Sequence, residues 1–111
     1  SYQVQKNKLQ LEQLDLYFDQ LRNRIDMDIS QASSKLAVNL QNMEYQRSNM
    51  DMASEIYDVT VRKYEEGIGT NLEVLDAIRE KRQAENNYFA AVYDALIAKV
   101  DLDKATGKLL N

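Results

Sequence analysis

Glycine and proline are the residues that most readily interrupt helices, and neither occurs before position 67 of this chain. The chain contains no proline, and its three glycines lie at positions 67, 69 and 107. Proline would remove a backbone donor and clash with the preceding turn, while glycine would cost backbone entropy. So long a stretch without either residue predicts one uninterrupted helix from about Tyr2 to Glu66.

Apolar residues recur every three or four positions along this stretch, which is the pattern of a coiled-coil seam. Lys8 is the one polar residue where an apolar one is expected. The step from Ile25 to Ile29 repeats the preceding step of four, and the two steps form a stutter, which locally relaxes left-handed supercoiling. The seam positions are Val4, Leu11, Leu14, Phe18, Leu21, Ile25, Ile29, Ala32, Leu36, Met43, Met50, Ala53, Tyr57, Val61 and Tyr64. At about 1.5 Å per residue, the predicted helix is roughly 100 Å long, which is typical of coiled coils.

The segment at positions 65–71 interrupts the seam and predicts a tight turn. Gly67 can end the first helix in a left-handed cap, because glycine adopts a positive φ without steric cost. Thr70 or Asn71 can cap the next helix, and Glu73 lies three residues after Thr70, as a capping box requires. So short a link makes the two helices fold back on each other as an antiparallel hairpin.

The second helix is predicted from Asn71 to about Thr106 and carries two apolar stripes. An alanine occupies every seventh position of the first stripe, at Ala77, Ala84, Ala91, Ala98 and Ala105. The alternate positions of that stripe are apolar except for Lys81, and they are Val74, Lys81, Tyr88, Ala95, Leu102 and Leu109. The second stripe consists of Leu75, Ile78, Phe89, Val92 and Leu96. Two stripes suit a helix with two neighbours, either in a three- or four-helix bundle or in a closed ring of helices.

The predicted fold class is all-α, a long antiparallel α-helical hairpin with coiled-coil packing. Its segments are a long helix over 1–66, a turn over 67–70 and a returning helix over 71–111. Residues equidistant from the turn face each other, so Gly107 lies opposite Ser30. Residues before Ser30 carry an apolar seam with no partner in the chain. We therefore expect a fragment of a larger protein or an obligate oligomer, and the uncovered seam favours self-association.

Composition argues against several functions. The net charge is −4, and no basic stripe exists that could follow a phosphate backbone, so no nucleic-acid partner is expected. The chain has no histidine and no cysteine, which removes the usual general base, the thiol nucleophile and the Glu-x-x-His pairs of di-iron bundles. No run reaches the ~18 apolar residues of a membrane-spanning helix. We expect a soluble chain without enzyme activity, catalytic residues, metal site or cofactor.

Glu73 and Asp76 are the acidic pair best placed to act together. They lie three residues apart on one face of the second helix, beside the turn. Such a pair is commonly no more than surface charge. In a symmetric ring, however, it would repeat around an opening and concentrate negative charge there.

The stretch Tyr64-Glu65-Glu66-Gly67-Ile68-Gly69-Thr70-Asn71-Leu72-Glu73-Val74-Leu75-Asp76-Ala77 resembles the periplasmic tip of the TolC family of outer-membrane efflux proteins. The family pattern there is a tyrosine, a glycine three residues later, a serine or threonine, and an acidic residue followed by Val-Leu-Asp-Ala. Three later segments resemble the usual family ending, namely Ala84-Glu85-Asn86-Asn87-Tyr88, Tyr93-Asp94-Ala95-Leu96 and Leu102-Asp103-Lys104-Ala105-Thr106-Gly107.

The resemblance implies a homotrimeric channel of the outer membrane that continues as a long α-helical barrel across the periplasm. This chain would be a periplasmic portion of that barrel, with one long descending helix and one shorter returning helix. The tunnel would conduct exported substrates passively. Its tip would dock a periplasmic adaptor (membrane fusion) protein of an efflux pump.

The resemblance also implies roles for residues at the tip. Tyr64 matches a gate residue that forms hydrogen bonds, and Glu73 and Asp76 match acidic positions that line the aperture. Gly69 stands where the best-known member has a gate arginine, so an arginine-mediated lock is not expected here. The turn residues that would meet the adaptor are Gly67, Ile68, Gly69, Thr70 and Asn71.

A generic coiled-coil interaction module is the alternative interpretation. Such a hairpin requires a glycine turn. It gives no reason for the combination of Tyr64, the Glu73 and Asp76 pair, and the Ala105-Thr106-Gly107 ending.

Overall fold

The computed structural model describes residues 1–108, and these form two helices joined by a short turn. Helix α1 spans Tyr2–Glu65 with 64 residues, and helix α2 spans Asn71–Thr106 with 36 residues. The molecule measures 99 × 22 × 15 Å along its principal axes. The predicted antiparallel α-helical hairpin is therefore confirmed.

The ends of the helices follow from local chemistry. The hydroxyl of Ser1 accepts a hydrogen bond from the backbone N–H of Val4 and caps the start of α1. Glu66 is the C-terminal cap of α1, so the helix ends one residue before the predicted boundary. Gly107 ends α2 in the left-handed conformation with φ of 76°. The part of the predicted returning helix beyond residue 108, including Leu109, lies outside the described residues.

The α1 side of the helix interface begins at Ile29, and every residue before it is exposed. From that point, partly buried residues recur every three or four positions, as the seam predicts. They are Ile29, Ala32, Leu36, Asn39, Met43, Gln46, Asn49, Met50, Ala53, Ser54, Tyr57, Thr60 and Val61. The uncovered seam before Ser30 follows from the unequal lengths of the two helices, because α2 ends at Thr106.

Polar residues also lie partly buried in this seam, at positions that the apolar pattern did not include. The side-chain amide of Asn39 donates a hydrogen bond to the carbonyl of Lys35 at 2.8 Å. The hydroxyl of Thr60 donates to the carbonyl of Ile56 at 2.6 Å. Both side chains thus satisfy their hydrogen-bonding groups on their own helix, which lowers the cost of placing them in the interface.

The buried core of the described residues consists of four alanines of the first α2 stripe, namely Ala77, Ala91, Ala95 and Ala98. Side chains this small allow the two helix backbones to approach closely. Lys81 is the polar residue of the first α2 stripe, and its Nζ lies 4.7 Å from the centre of the Tyr57 ring. This cation–π contact accommodates the charge within the seam.

Much apolar surface faces away from the interface. The second stripe of α2 leaves Leu75, Phe89 and Leu96 exposed. On α1, Leu14, Phe18 and Leu21 are also exposed. Apolar surface this extensive is typical of a surface that binds another molecule.

We predict that Ala91→Leu destabilises the hairpin by about 1–3 kcal/mol, because a larger side chain at this position must force the helices apart. Ala91 is 3% exposed. Urea unfolding followed by circular dichroism measures the change. The neighbouring Ala90 is exposed and has the same helix propensity, so Ala90→Leu is the matched control and should leave stability nearly unchanged. Equal effects of the two substitutions would contradict the observed packing.

Candidate functional site

The turn between the helices is built by a hydrogen-bonded glycine cap at the end of α1. The N–H of Ile68 donates to the carbonyl of Lys63 at 2.9 Å, and the N–H of Gly67 donates to the carbonyl of Tyr64 at 3.1 Å. Gly67 has φ of 77°, in the left-handed region. These two bonds and this conformation define a Schellman motif, which fixes the direction of the chain after the helix.

Gly69 packs tightly against the end of α1. Its N–H also donates to the carbonyl of Lys63, at 3.1 Å. A Cβ at this position would lie 3.3 Å from Oε2 of Glu73 and 3.4 Å from the backbone N of Tyr64. The structure therefore brings Gly69, the Glu73 carboxylate and the backbone of Tyr64 together at one point.

Thr70, rather than Asn71, caps the start of α2. The Thr70 hydroxyl accepts a hydrogen bond from the backbone N–H of Glu73 at 3.2 Å, and Asn71 is the first helical residue. Of the expected capping box, only this bond to the Thr70 hydroxyl forms within residues 1–108. The reciprocal bond to the Glu73 carboxylate does not form, because that carboxylate lies beside Gly69. Glu73 is the acidic residue of the first turn, where the positive end of the helix dipole favours its charge.

Three acidic residues of α2 form one wall of an open groove near the turn. Glu73, Asp76 and Glu80 line it together with Ala77. The opposite wall comes from α1 and includes the apolar side chains of Met52, Ala53 and Ile56. The groove encloses about 530 Å³ and has no basic residue in its lining. We name Glu73, Asp76 and Glu80 the acidic face.

Glu80 is a member of the acidic face that the sequence reasoning missed. It lies seven residues after Glu73, which places both on the same side of α2. That spacing is the signal from which it could have been found. With Glu80 included, the negative surface extends about two helical turns from the tip.

Ion pairing does little to neutralise the acidic face. Nη1 of Arg79 lies 3.8 Å from Oδ1 of Asp76, and both side chains are exposed. Exposed pairs of this kind are screened by solvent and contribute little. Glu73 and Glu80 form no ion pair with any of the described residues. The face can therefore attract cations that approach the turn.

Tyr64 is more exposed than its predicted position in the seam implies. The residue is 47% exposed. Its hydroxyl forms no hydrogen bond among residues 1–108. The phenol is thus free to contact a group outside this hairpin.

The predicted docking residues lie together at one end of the rod. Ile68 is 73% exposed at the apex of the turn, with Thr70 and Asn71 also exposed. Leu72 adds a further exposed apolar side chain beside them. The turn therefore presents a small apolar tip bordered by polar residues.

Two other properties of the described residues bear on function. Neither helix contains a stretch that is long and apolar enough to span a membrane. Within residues 1–108, no three acidic residues gather closely enough to hold a metal ion.

Comparison with known families gives one match. The sequence profile described as "Outer membrane efflux protein" matches residues 3–108, which is nearly the whole chain. No curated protein and no solved structure matches significantly.

The two glycines of the turn should respond differently to alanine. Gly67→Ala forces a Cβ into the left-handed region and should cost about 1–2 kcal/mol, although no atom lies near the added group. Gly69 has no positive φ, and the flexible Glu73 carboxylate can move aside, so Gly69→Ala should change stability by less than about 1 kcal/mol. Thermal unfolding of both variants measures the difference. A larger loss in Gly69→Ala than in Gly67→Ala would show that the turn is built differently.

Proposed function

Since the chain belongs to the outer membrane efflux protein family, we propose that its hairpin forms the periplasmic tunnel wall and the gate-bearing tip of a trimeric efflux channel. The family comprises components of outer-membrane transport channels and is not a family of enzymes. The acidic face beside the turn is the observation that carries the proposal.

The proposed gate would act through the negative charge of the acidic face. The groove that the acidic face lines has no basic residue in its lining, and the long Asp76–Arg79 contact is the one ion pair that the acidic face forms within residues 1–108. Arranged around a threefold axis, three copies would place their carboxylates around one opening. Clefts lined by one sign of charge attract counter-ions and repel like charges. The mouth of the channel would thus favour cations.

The contacts that close such a gate would differ from those of a channel with an arginine lock. Gly69 provides no side chain, and its backbone rests against Tyr64. The exposed Tyr64 phenol is then the group available to bond with a neighbouring hairpin. Opening would move hairpins outward as rigid bodies, because the seam holds α1 and α2 together along most of α2.

The proposed docking surface is the turn, which has a fixed shape. The Schellman motif and the Thr70 cap hold the turn in one conformation, with Ile68 and Leu72 exposed. A preorganised apolar tip loses little entropy when it binds. It suits the tip of another helical hairpin, and we propose that the periplasmic adaptor supplies it.

The alternative, a generic coiled-coil interaction module, accounts for the seam but not for the acidic face. A hairpin that serves only as a spacer does not need three carboxylates on one side of its turn. Membership of the efflux family also favours the channel. In this channel the chain would conduct exported substrates passively.

We predict that Glu73→Gln combined with Asp76→Asn in the full-length channel lowers its preference for cations severalfold and weakens block by multivalent cations from the periplasmic side. Single-channel recordings in planar bilayers measure both effects. Glu44→Gln is the matched control, because Glu44 is an exposed carboxylate far from the turn that pairs with Arg47. Selectivity and block that stay unchanged in the double variant would argue against the gate.

Docking is tested separately at the apex of the turn. Ile68→Asp places a charge on the apolar tip and should abolish crosslinking of the full-length channel to its adaptor. Folding should be little affected, because Ile68 is 73% exposed. Ile68→Val retains the apolar surface and should crosslink normally. Undiminished crosslinking of Ile68→Asp would place the adaptor contact elsewhere.

A further inference from the structure

The part of α1 before Ile29 carries an apolar seam that α2 does not cover. Its six apolar residues are 40–63% exposed, and they are Val4, Leu11, Leu14, Phe18, Leu21 and Ile25. We name these six residues the N-terminal seam. The residues spaced by seven from Val4 occupy heptad position a, and Leu14 and Leu21 occupy position d. The N-terminal seam is thus one half of a coiled-coil contact, with no second helix against it within residues 1–108.

Charged residues border the N-terminal seam. The groove on this part of α1 encloses about 590 Å³ and is lined by Asp15, Phe18, Asp19, Leu21, Arg22 and Ile25. Lys8, Asp15 and Arg22 each follow a d position and therefore occupy position e of the heptad. None of these three side chains forms an ion pair in the part of the chain that the structure describes. Charged residues at position e set the partner and the orientation of a coiled coil.

The location of α2 determines the direction of a helix that packs on this seam. Ile29 and Leu36 continue the line of the seam, and both are partly buried in the interface with α2. If two copies packed their N-terminal seams in parallel, both α2 helices would enter the same space between the two α1 helices. An antiparallel arrangement places the two α2 helices at opposite ends of the contact. The fold therefore favours antiparallel pairing.

Apolar layers restrict such a pair to a few alignments. In an antiparallel coiled coil, a residues of one helix lie level with d residues of the other, so the alignments differ by one heptad. One alignment sets Leu11 level with Leu14 of the second copy, and Val4 level with Leu21. An overlap that is longer by one heptad sets Leu11 level with Leu21 instead. Both alignments form apolar layers, so apolar contact does not choose between them.

Charge separates these alignments. When Leu11 is level with Leu14, Lys8 of each copy lies beside Asp15 of the other, and the attraction occurs twice. An overlap longer by one heptad brings Asp15 against Asp15 and Lys8 against Arg22. An overlap shorter by one heptad brings Lys8 against Lys8. Because like charges that face each other suppress a wrong pairing, the first alignment is preferred.

The end of α2 excludes a further alignment. An overlap longer by two heptads also pairs opposite charges, but it sets Tyr2 level with Ala37 of the second copy. The neighbouring Leu36 is already partly buried against α2 of that copy. In the alignment that charge prefers, Tyr2 is level with Asn23, in the part of α1 where every residue is exposed. Charge and shape therefore agree on one alignment.

We propose that two copies of this chain pair through their N-terminal seams as an antiparallel coiled coil, with Leu11 level with Leu14 and two Lys8–Asp15 ion pairs. The occupant of the seam is a second copy because its charges complement the same seam in the reverse direction. The contact is isologous, so it closes at two copies. It leaves the two turns at the far ends of the pair. The inference does not depend on the proposed channel function.

Small-angle X-ray scattering of the 111-residue chain tests this arrangement. One hairpin is 99 Å long. An overlap of about 24 residues, or ~36 Å, gives a pair about 160 Å long. Analytical ultracentrifugation should show the mass of two chains under the same conditions. A particle of two chains that is no longer than one hairpin, or a single-chain mass at every concentration, would overturn the proposal.

Charge reversal tests the alignment. Lys8→Glu should raise the dissociation constant of the pair at least about fivefold at low salt, because two attractions become repulsions. Adding Asp15→Lys to the same chain reverses both charges of each ion pair and should restore the constant to within about twofold. Lys6→Glu is the matched control. Lys6 lies at the outer position c, so the same change of net charge there should alter the constant by less than about twofold.

Circular dichroism checks that the variants keep their helical content. Equal effects of Lys8→Glu and Lys6→Glu, or no recovery in the double reversal, would contradict the proposed alignment. Either result would leave the gate proposal standing, because that is tested by channel selectivity.

Discussion

The packing of α2 against positions 29–61 of α1 is the interaction on which the rest of the molecule depends. Its buried core consists of four alanines, so it gains less from hydrophobic burial than a seam of larger side chains would. Close approach of the two backbones is what this core provides. Several larger apolar residues, such as Leu75, Phe89 and Leu96, are exposed, and others lie on the unpaired part of α1. Exposed apolar surface of this extent is typical of surfaces that other protein elements cover, and the chain belongs to a channel family.

The turn fixes the position of each α2 residue along the rod relative to the residues of α1. The Schellman motif at Gly67 and the cap at Thr70 fix where α1 ends and α2 begins. Because long helices are stiff, this local geometry determines which residues are level along a rod of 99 Å. It places the acidic face beside the tip.

Local signals made the fold predictable, whereas details of the site depended on contacts. A left-handed glycine, a short turn and a seven-residue repeat each have a direct structural meaning, so the hairpin followed from the sequence. The choice of Thr70 over Asn71 as the cap did not, because either side chain can accept the bond. The 47% exposure of Tyr64 did not follow from the sequence either, because the seam pattern placed this residue in the interface. The roles of Tyr64, Glu73 and Asp76 depend on neighbouring hairpins, and their assignment stays a prediction.

The sequence by itself determined two helices, their turn and the seam that joins them, because these depend on backbone preference and on the period of apolar residues. Only the tertiary structure decided what surrounds each side chain. It placed the Glu73 carboxylate beside Gly69 and joined Glu80 to the acidic face. The physical reason is that a periodic pattern specifies which residues share a helix face, while the register set by the turn specifies what each face meets.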